Sequence, residues 1–87
     1  MGSTVAYMDS TEFAAAVAAN VDLAIKRAGK TVLSIASETG IPRTTLERRL
    51  RSAGLSPFTV TEIKAIGIAL SIPARDLVTV TVAAEVA

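Results

Sequence analysis

The sequence predicts one mainly α-helical domain of five helices, followed by a C-terminal β-strand and with a possible short N-terminal strand. Three observations lead to this prediction: apolar residues at helical spacing between Gly and Pro breaks, repeated helix-start signals, and a Val/Thr alternation near the end. The 87 residues are enough for one domain, and 51% of them are apolar. A compact core of Ala, Val, Leu and Ile is therefore expected.

The first two helices are each predicted from a start signal and a glycine stop. Asp9 is a capping residue for a helix at about residues 10–28, which Gly29 ends. Thr31 begins a second, shorter helix, and Gly40 ends it where a left-handed residue is needed. The apolar stripe of the first helix consists of Phe13, Val17, Val21, Ala24 and Ala28.

The other three helices follow from proline positions and one further capping signal. Pro42 stands near the start of a third helix that runs to about Ala53, because a proline costs nothing in a first turn. Thr59 and Glu62 form a capping box for a fourth helix, and a fifth begins near Pro73. The core residues expected from this half are Ile41, Leu46, Leu50, Ala53, Val60, Ile63, Ile66, Leu70 and Leu77.

The C-terminal segment has a different pattern. Val78, Val80 and Val82 alternate with threonines, and this period of two with β-branched residues predicts a strand at residues 78–87. A single strand needs a partner, which is either the same strand in a second copy or residues 4–8 of the same chain. The chain thus divides into residues 1–9, an arm or short strand, residues 10–78, the helical domain, and residues 78–87, the strand.

The positive charge is concentrated in one part of the chain. The formal net charge is only +1, yet residues 26–51 hold seven basic and two acidic side chains. The remainder holds two basic and six acidic side chains. The distribution of charge is therefore more informative than its total.

The absence of His and Cys narrows the function. It excludes disulfides, thiolate and imidazole catalysis and the usual zinc sites, and no phosphate-binding loop is present. We therefore expect no enzyme, no catalytic residue, no metal, no cofactor and no small-molecule substrate. With no bilayer-spanning apolar run and no signal peptide, we expect a cytoplasmic protein without a membrane partner. Aromatics at 3% disfavour recognition of single-stranded RNA.

The third helix carries the basic residues on its outer side. A helical wheel with Leu46 facing the core turns Thr44, Arg48 and Arg51 outward, with Glu47 beside them. A short helix, a glycine turn and a second helix with a polar outer face form a helix-turn-helix, whose second helix enters the major groove of DNA. The alternative is a helical bundle in which this basic helix is only solvated.

Two segments resemble a known family. The segment "SIASETGIPRTTLERRL" resembles the helix-turn-helix of phage repressor and Cro-type regulators, and "VTEIKAIGIALSIPARDLV" is similar to the last two helices of the λ-repressor-like fold. The resemblance implies a sequence-specific, double-stranded DNA-binding transcriptional regulator that reads the major groove with the helix at about residues 43–53. It also implies a homodimer joined through the C-terminal strand, in a bacterial host cell if the protein is phage-encoded.

The helix-turn-helix interpretation assigns roles to particular residues. A protein-interaction module of the same fold, such as an antitoxin-like or excision-type accessory protein, is the alternative function. The expected base contacts are Arg43, Thr44, Glu47, Arg48 and Arg51; the expected phosphate contacts are Lys30, Thr31, Thr45 and Arg49; and the expected dimerisation residues are Val78, Val80 and Val82.

Overall fold

A computed structural model describes residues 8–80 of the chain. It confirms the five predicted helices, and it contains no strand within the described residues. Among these same residues, no helix combines the length and the apolar character that crossing a bilayer requires. The helices are α1 at Ser10–Arg27, α2 at Val32–Thr39, α3 at Arg43–Arg51, α4 at Val60–Leu70 and α5 at Ala74–Val78.

Three of the helices begin with a capping box. In each box, the side chain of the first residue accepts a hydrogen bond from the backbone N–H of the residue three positions later. The side chain of that later residue accepts a hydrogen bond from the backbone N–H of the first. By contrast, α3 follows Pro42 and α5 follows Pro73, and neither proline supplies a side-chain cap. The capping pairs are Asp9 with Glu12, Thr31 with Ser34, and Thr59 with Glu62.

The core is shared by all five helices. The helix α1 packs on α3 and α5, α2 packs on α3 and α4, and α4 packs on α5. Each helix contributes one large side chain with almost no exposed surface, so removing any helix would uncover the core. These side chains are Val21, Ile35, Leu46, Ile66 and Leu77.

The α3–α4 loop is held against the start of α1. Gly54 has a φ of 89° and is buried. A Cβ atom at this position would collide with the backbone carbonyl of Thr11 and lie 3.0 Å from the backbone nitrogen of Ala15. Only glycine allows this approach, because it has no side chain and accepts a positive φ without strain.

The predicted apolar stripes are wrong at their ends. Phe13 is 43% exposed and Val60 is 87% exposed, because no helix within residues 8–80 covers these two side chains. At the other end of α1 the core side chain is Ile25, while Ala28 is exposed as the C-cap residue.

The third helix is shorter than predicted. It ends at Arg51, and Ala53 is exposed with a φ of 56°. A helical wheel does not apply to a residue in this left-handed conformation, so the predicted burial of Ala53 is wrong.

The predicted strand is wrong over its first residues. Val78 is the last residue of α5, and Thr79 and Val80 have no regular structure. The side-chain amide of Asn20 donates to the carbonyls of Leu77 (3.1 Å) and Thr79 (2.9 Å), and so ties the segment to α1. Val80 also packs against the core. Residues 78–80 are therefore held by contacts with α1 and the core, and they do not form the strand that the Val/Thr alternation predicted.

The rest of the predicted strand, including Val82, lies outside the described residues, as do residues 4–7 of the proposed N-terminal partner.

We expect Asn20→Ala to lower the free energy of unfolding by about 1–2 kcal/mol, because two carbonyls lose their donor. Urea unfolding of this variant and of Ala19→Gln, a control that places a good helix former at the neighbouring exposed position, measures the effect. An Asn20→Ala protein as stable as the wild type would contradict the role given to this amide.

Candidate nucleic-acid interface

The turn between α2 and α3 is fixed by short-range contacts. Gly40 has a φ of 80°, and its N–H donates to the carbonyl of Ala36. The hydroxyl of Thr39 donates to the carbonyl of Ile35 at 2.7 Å and accepts from the N–H of Ile41 at 3.1 Å. The predicted left-handed glycine is confirmed, and the threonine adds a second constraint on the angle between the two helices.

Packing sets the rotation of α3. Leu46 is fully buried, Leu50 is half-buried, and the side chain of Ile41 is buried just before the helix begins. On the other side, Thr44, Arg48 and Arg51 are exposed, as the helical wheel predicted, and Arg43 is exposed at the first position. The described surface of α3 is therefore polar and basic on its outer side.

Two of the outward arginines are oriented by neighbouring side chains. Arg43 Nε lies 3.2 Å from Glu47 Oε2, one helical turn along. Arg48 Nε donates to the hydroxyl of Ser56 at 3.3 Å. Each of these contacts uses Nε of the guanidinium group, and both arginines are exposed, so a planar acceptor can reach their terminal nitrogens. Glu47 is half-buried and acts here as the partner of Arg43.

Arg49 is bound inside the protein. Its Nε and Nη2 donate to the two carboxylate oxygens of Glu62, at 2.8 Å and 3.1 Å, and its Nη1 donates to the hydroxyl of Ser56 at 2.9 Å. The two charged side chains are only 18% and 16% exposed. This geometry fastens α3 to the start of α4, and it leaves Arg49 poorly placed for the phosphate contact that was expected of it.

The Arg49 contact also determines the charge state of Glu62. Burial by itself would raise the pKa of Glu62. The hydrogen bonds from Arg49 and from the backbone and side chain of Thr59, together with the positive charge of Arg49, outweigh burial and hold the pKa below its ordinary value. The carboxylate is therefore stabilised in its ionised form.

Lys30 is also partly committed to internal contacts. Its Nζ lies 2.8 Å from Glu38 Oε1 and 3.1 Å from the backbone carbonyl of Ala69. The hydroxyl of Thr31 accepts from the N–H of Ser34 as the cap of α2. Thr45, the remaining expected phosphate contact, is half-buried.

Arg51, an expected base contact, lies next to two of the expected phosphate contacts. Arg51 lines a shallow depression together with Lys26, Lys30 and Thr31, where the ends of α1 and α3 meet the start of α2. The sequence assigned Arg51 to bases and the other two candidates, Lys30 and Thr31, to phosphates. Asp22 also lines the depression and pairs with Lys26 at 2.8 Å, so three basic side chains and one acidic side chain give it a net positive charge.

Ser56 and Glu62 were not predicted to affect the site. Ser56 contacts both Arg48 and Arg49, and Glu62 holds Arg49. Glu62 was recognised only as a capping residue, since contacts between residues 13 positions apart leave no periodic signal. Within residues 8–80, no cluster of three or more acidic side chains is arranged to hold a metal ion.

Comparison with protein-family models, with curated proteins and with solved structures finds no match for this chain.

Proposed function

We propose that this protein is a sequence-specific regulator that binds double-stranded DNA through a helix-turn-helix of the phage repressor and Cro type, formed by α2 and α3. The observation that carries the proposal is the outer face of α3. Thr44, Arg48 and Arg51 point away from a helix whose rotation is fixed by Leu46 and whose angle to α2 is fixed at Gly40.

A single α-helix such as α3 fits the major groove of DNA. The major groove is about 12 Å wide and admits one α-helix, whose outward side chains then reach the base edges. Arg48 and Thr44 lie at the centre of the outer face of α3, so we assign base contacts to them. Arg43 stands at the first position of the helix and suits either a base or a phosphate.

The phosphate contacts that we propose differ from those expected from the sequence: Arg51 is added, and Thr45 and Arg49 are left out. Arg51, Lys30 and Thr31 share the basic depression at the edge of the outer face, where a DNA backbone would pass. Arg49 is removed from this set, because using it would break its contacts with Glu62. An exposed arginine that meets a phosphate supplies affinity with little sequence information.

A protein-interaction module remains the second candidate function. The observation in its favour is an open apolar groove on the side where α1 and α4 begin. Titration with salt separates the two functions. A DNA-binding protein loses affinity for duplexes steeply as salt rises, whereas a protein adaptor has little duplex affinity at any salt concentration. Selection of bound sequences from random duplexes then identifies the preferred site.

We expect Arg48→Ala and Thr44→Ala to change which sequences are selected, each costing about 1–3 kcal/mol at the preferred site. Arg27→Ala is a matched control, because it removes an exposed positive charge from α1 and leaves α3 intact. If Arg48→Ala or Thr44→Ala weakened binding to all duplexes equally, the base contact assigned to that residue would be wrong.

A further inference from the structure

The domain has an open apolar groove of about 820 Å³ between the first turns of α1, the α3–α4 loop, the start of α4, and α5. Its lining includes Val17 and Ile63, which are buried members of the core, and the exposed Phe13 and Val78. Small-molecule sites in proteins are mostly apolar and have volumes of about 300–1,000 Å³. The groove has this size and this character, and a molecule that enters it contacts core side chains directly.

The charged side chains that line the groove within the described part of the chain are Lys64 and Arg75, and both are positive. A Cβ atom at Gly67 of α4 would lie 3.5 Å from Cα of Ala74 in α5, so the two helices meet closely there. Lys64 is three residues before this contact and Arg75 is one residue after it. Both cations are exposed, and within residues 8–80 no carboxylate lies within 4 Å of either one. The groove therefore combines apolar walls with two cations that an incoming anion can reach.

The chain's own ends match this groove poorly. Residues 1–7 contain no acidic side chain, so they would leave both cations without a counter-charge. Toward the other end, the carbonyl of Thr79 accepts from Asn20, which lines a different depression and not the groove. Val80 packs against the core and does not line the groove either. An anionic, apolar occupant from outside the chain is therefore the better match.

We propose that the groove is a binding site for a small apolar carboxylic acid, with the hydrocarbon chain against Phe13, Val17 and Ile63 and the carboxylate at Lys64 and Arg75. The hydrocarbon chain supplies most of the affinity, because each fully buried methylene group strengthens binding about fourfold. The carboxylate supplies selectivity for charge, since an exposed ion pair strengthens binding at most about fivefold.

The site is separate from the proposed DNA-binding face. The lining of the groove contains none of the outward residues Thr44, Arg48 and Arg51. A ligand in the groove therefore leaves the outer face of α3 uncovered, and the inference does not rest on the proposed function.

Isothermal titration calorimetry of the full chain with octanoate and decanoate tests the proposal. We expect saturable binding of one molecule per chain, about tenfold tighter for decanoate because it buries two more methylene groups. Decyltrimethylammonium has a similar hydrocarbon chain and the opposite charge, and it should bind about tenfold more weakly than decanoate. Equal binding of the two decyl compounds would overturn the proposal, and so would the lack of saturable decanoate binding up to about 5 mM.

Two substitutions test the two parts of the site. Ala14→Trp places a large ring in the groove, and Lys64→Glu replaces a cation at the groove with an acid, so each should weaken decanoate binding about tenfold. The matched controls are Ala19→Trp and Arg27→Glu, which make the same kinds of change at exposed positions of α1 outside the groove. Circular dichroism checks the fold of each variant, and Glu at position 64 is a good helix former. Equal loss of binding in a variant and in its control would overturn the proposal.

The remaining outcomes separate other occupants and the proposed function. Glu85 is the acidic side chain of residues 81–87. If the full chain bound decanoate only after Glu85→Gln, that segment would be the occupant and the proposal would be wrong. A protein that binds decanoate through Lys64 but binds no duplex DNA would refute the proposed function and support the carboxylate site. A protein that binds duplex DNA sequence-specifically but takes up no decanoate would do the reverse.

Discussion

Leu46→Ala is expected to lower the free energy of unfolding by about 3–5 kcal/mol, the largest effect of any change considered for this protein. Leu46 has no exposed surface and lies where α3 meets the common core. Shortening it removes buried methyl groups and leaves a cavity that five short helices cannot easily close. In a domain of this size, such a loss lowers the melting temperature by about 4–8 °C for each kcal/mol.

Leu33→Ala is the control for this prediction. It makes the same chemical change on a helix where the side chain is 59% exposed, so its effect should stay within about 1 kcal/mol. Leu50→Ala should fall between the two, because Leu50 is half-buried. Urea unfolding with unchanged m-values provides the comparison. A Leu46→Ala protein that melts with the wild type would mean that α3 is rotated from the position described and that its outer face must be redrawn.

Glu62→Gln is expected to cost about 2–3 kcal/mol, the second largest effect. Gln keeps the size of the side chain but removes the charge that Arg49 contacts through two nitrogens. Because both side chains are more than four-fifths covered, the arginine is left largely buried without its counter-charge. Glu47→Gln is the matched control: its pair with Arg43 is at the surface, and such pairs contribute at most about 1 kcal/mol.

The same pair has a defined dependence on pH. The pKa of Glu62 is lower in the folded protein than its ordinary value of 4.5, so the unfolded chain binds the proton first. The stabilisation from Glu62 is therefore complete above pH 4.5 and is lost as the pH falls through the lower, folded-state pKa. The difference in stability between the wild type and Glu62→Gln should shrink over that acidic range. A difference that stays constant there would contradict the ionised pair.

The sequence predicts those features of the fold that are encoded within a few residues. Asp9, Thr31 and Thr59 each cap a helix through a residue three positions later, and Gly40 ends α2 by its own conformational freedom. The outward direction of Arg48 follows from the period of one helix. Each of these features depends on local geometry, and local geometry is readable from the chain.

The features that the sequence does not predict depend on distant partners. Val60 continues an apolar stripe, but whether the stripe is covered depends on whether another helix passes over it. The pairing of Arg49 with Glu62 joins two helices, and the capture of Leu77 and Thr79 by Asn20 spans more than 50 residues. A Val/Thr alternation expresses a preference for extended structure, and in residues 78–80 tertiary contacts outweighed it.

The lack of a side-chain cap on α3 has a consequence for how the molecule opens. A nine-residue helix without a side-chain cap is too short to persist alone in water, so α3 is helical only while Leu46 and Arg49 hold it to the domain. Its amide protons should therefore exchange with solvent through the same opening that exposes the core. We therefore expect the helix with the basic outer face to open together with the scaffold that orients it, as one cooperative unit.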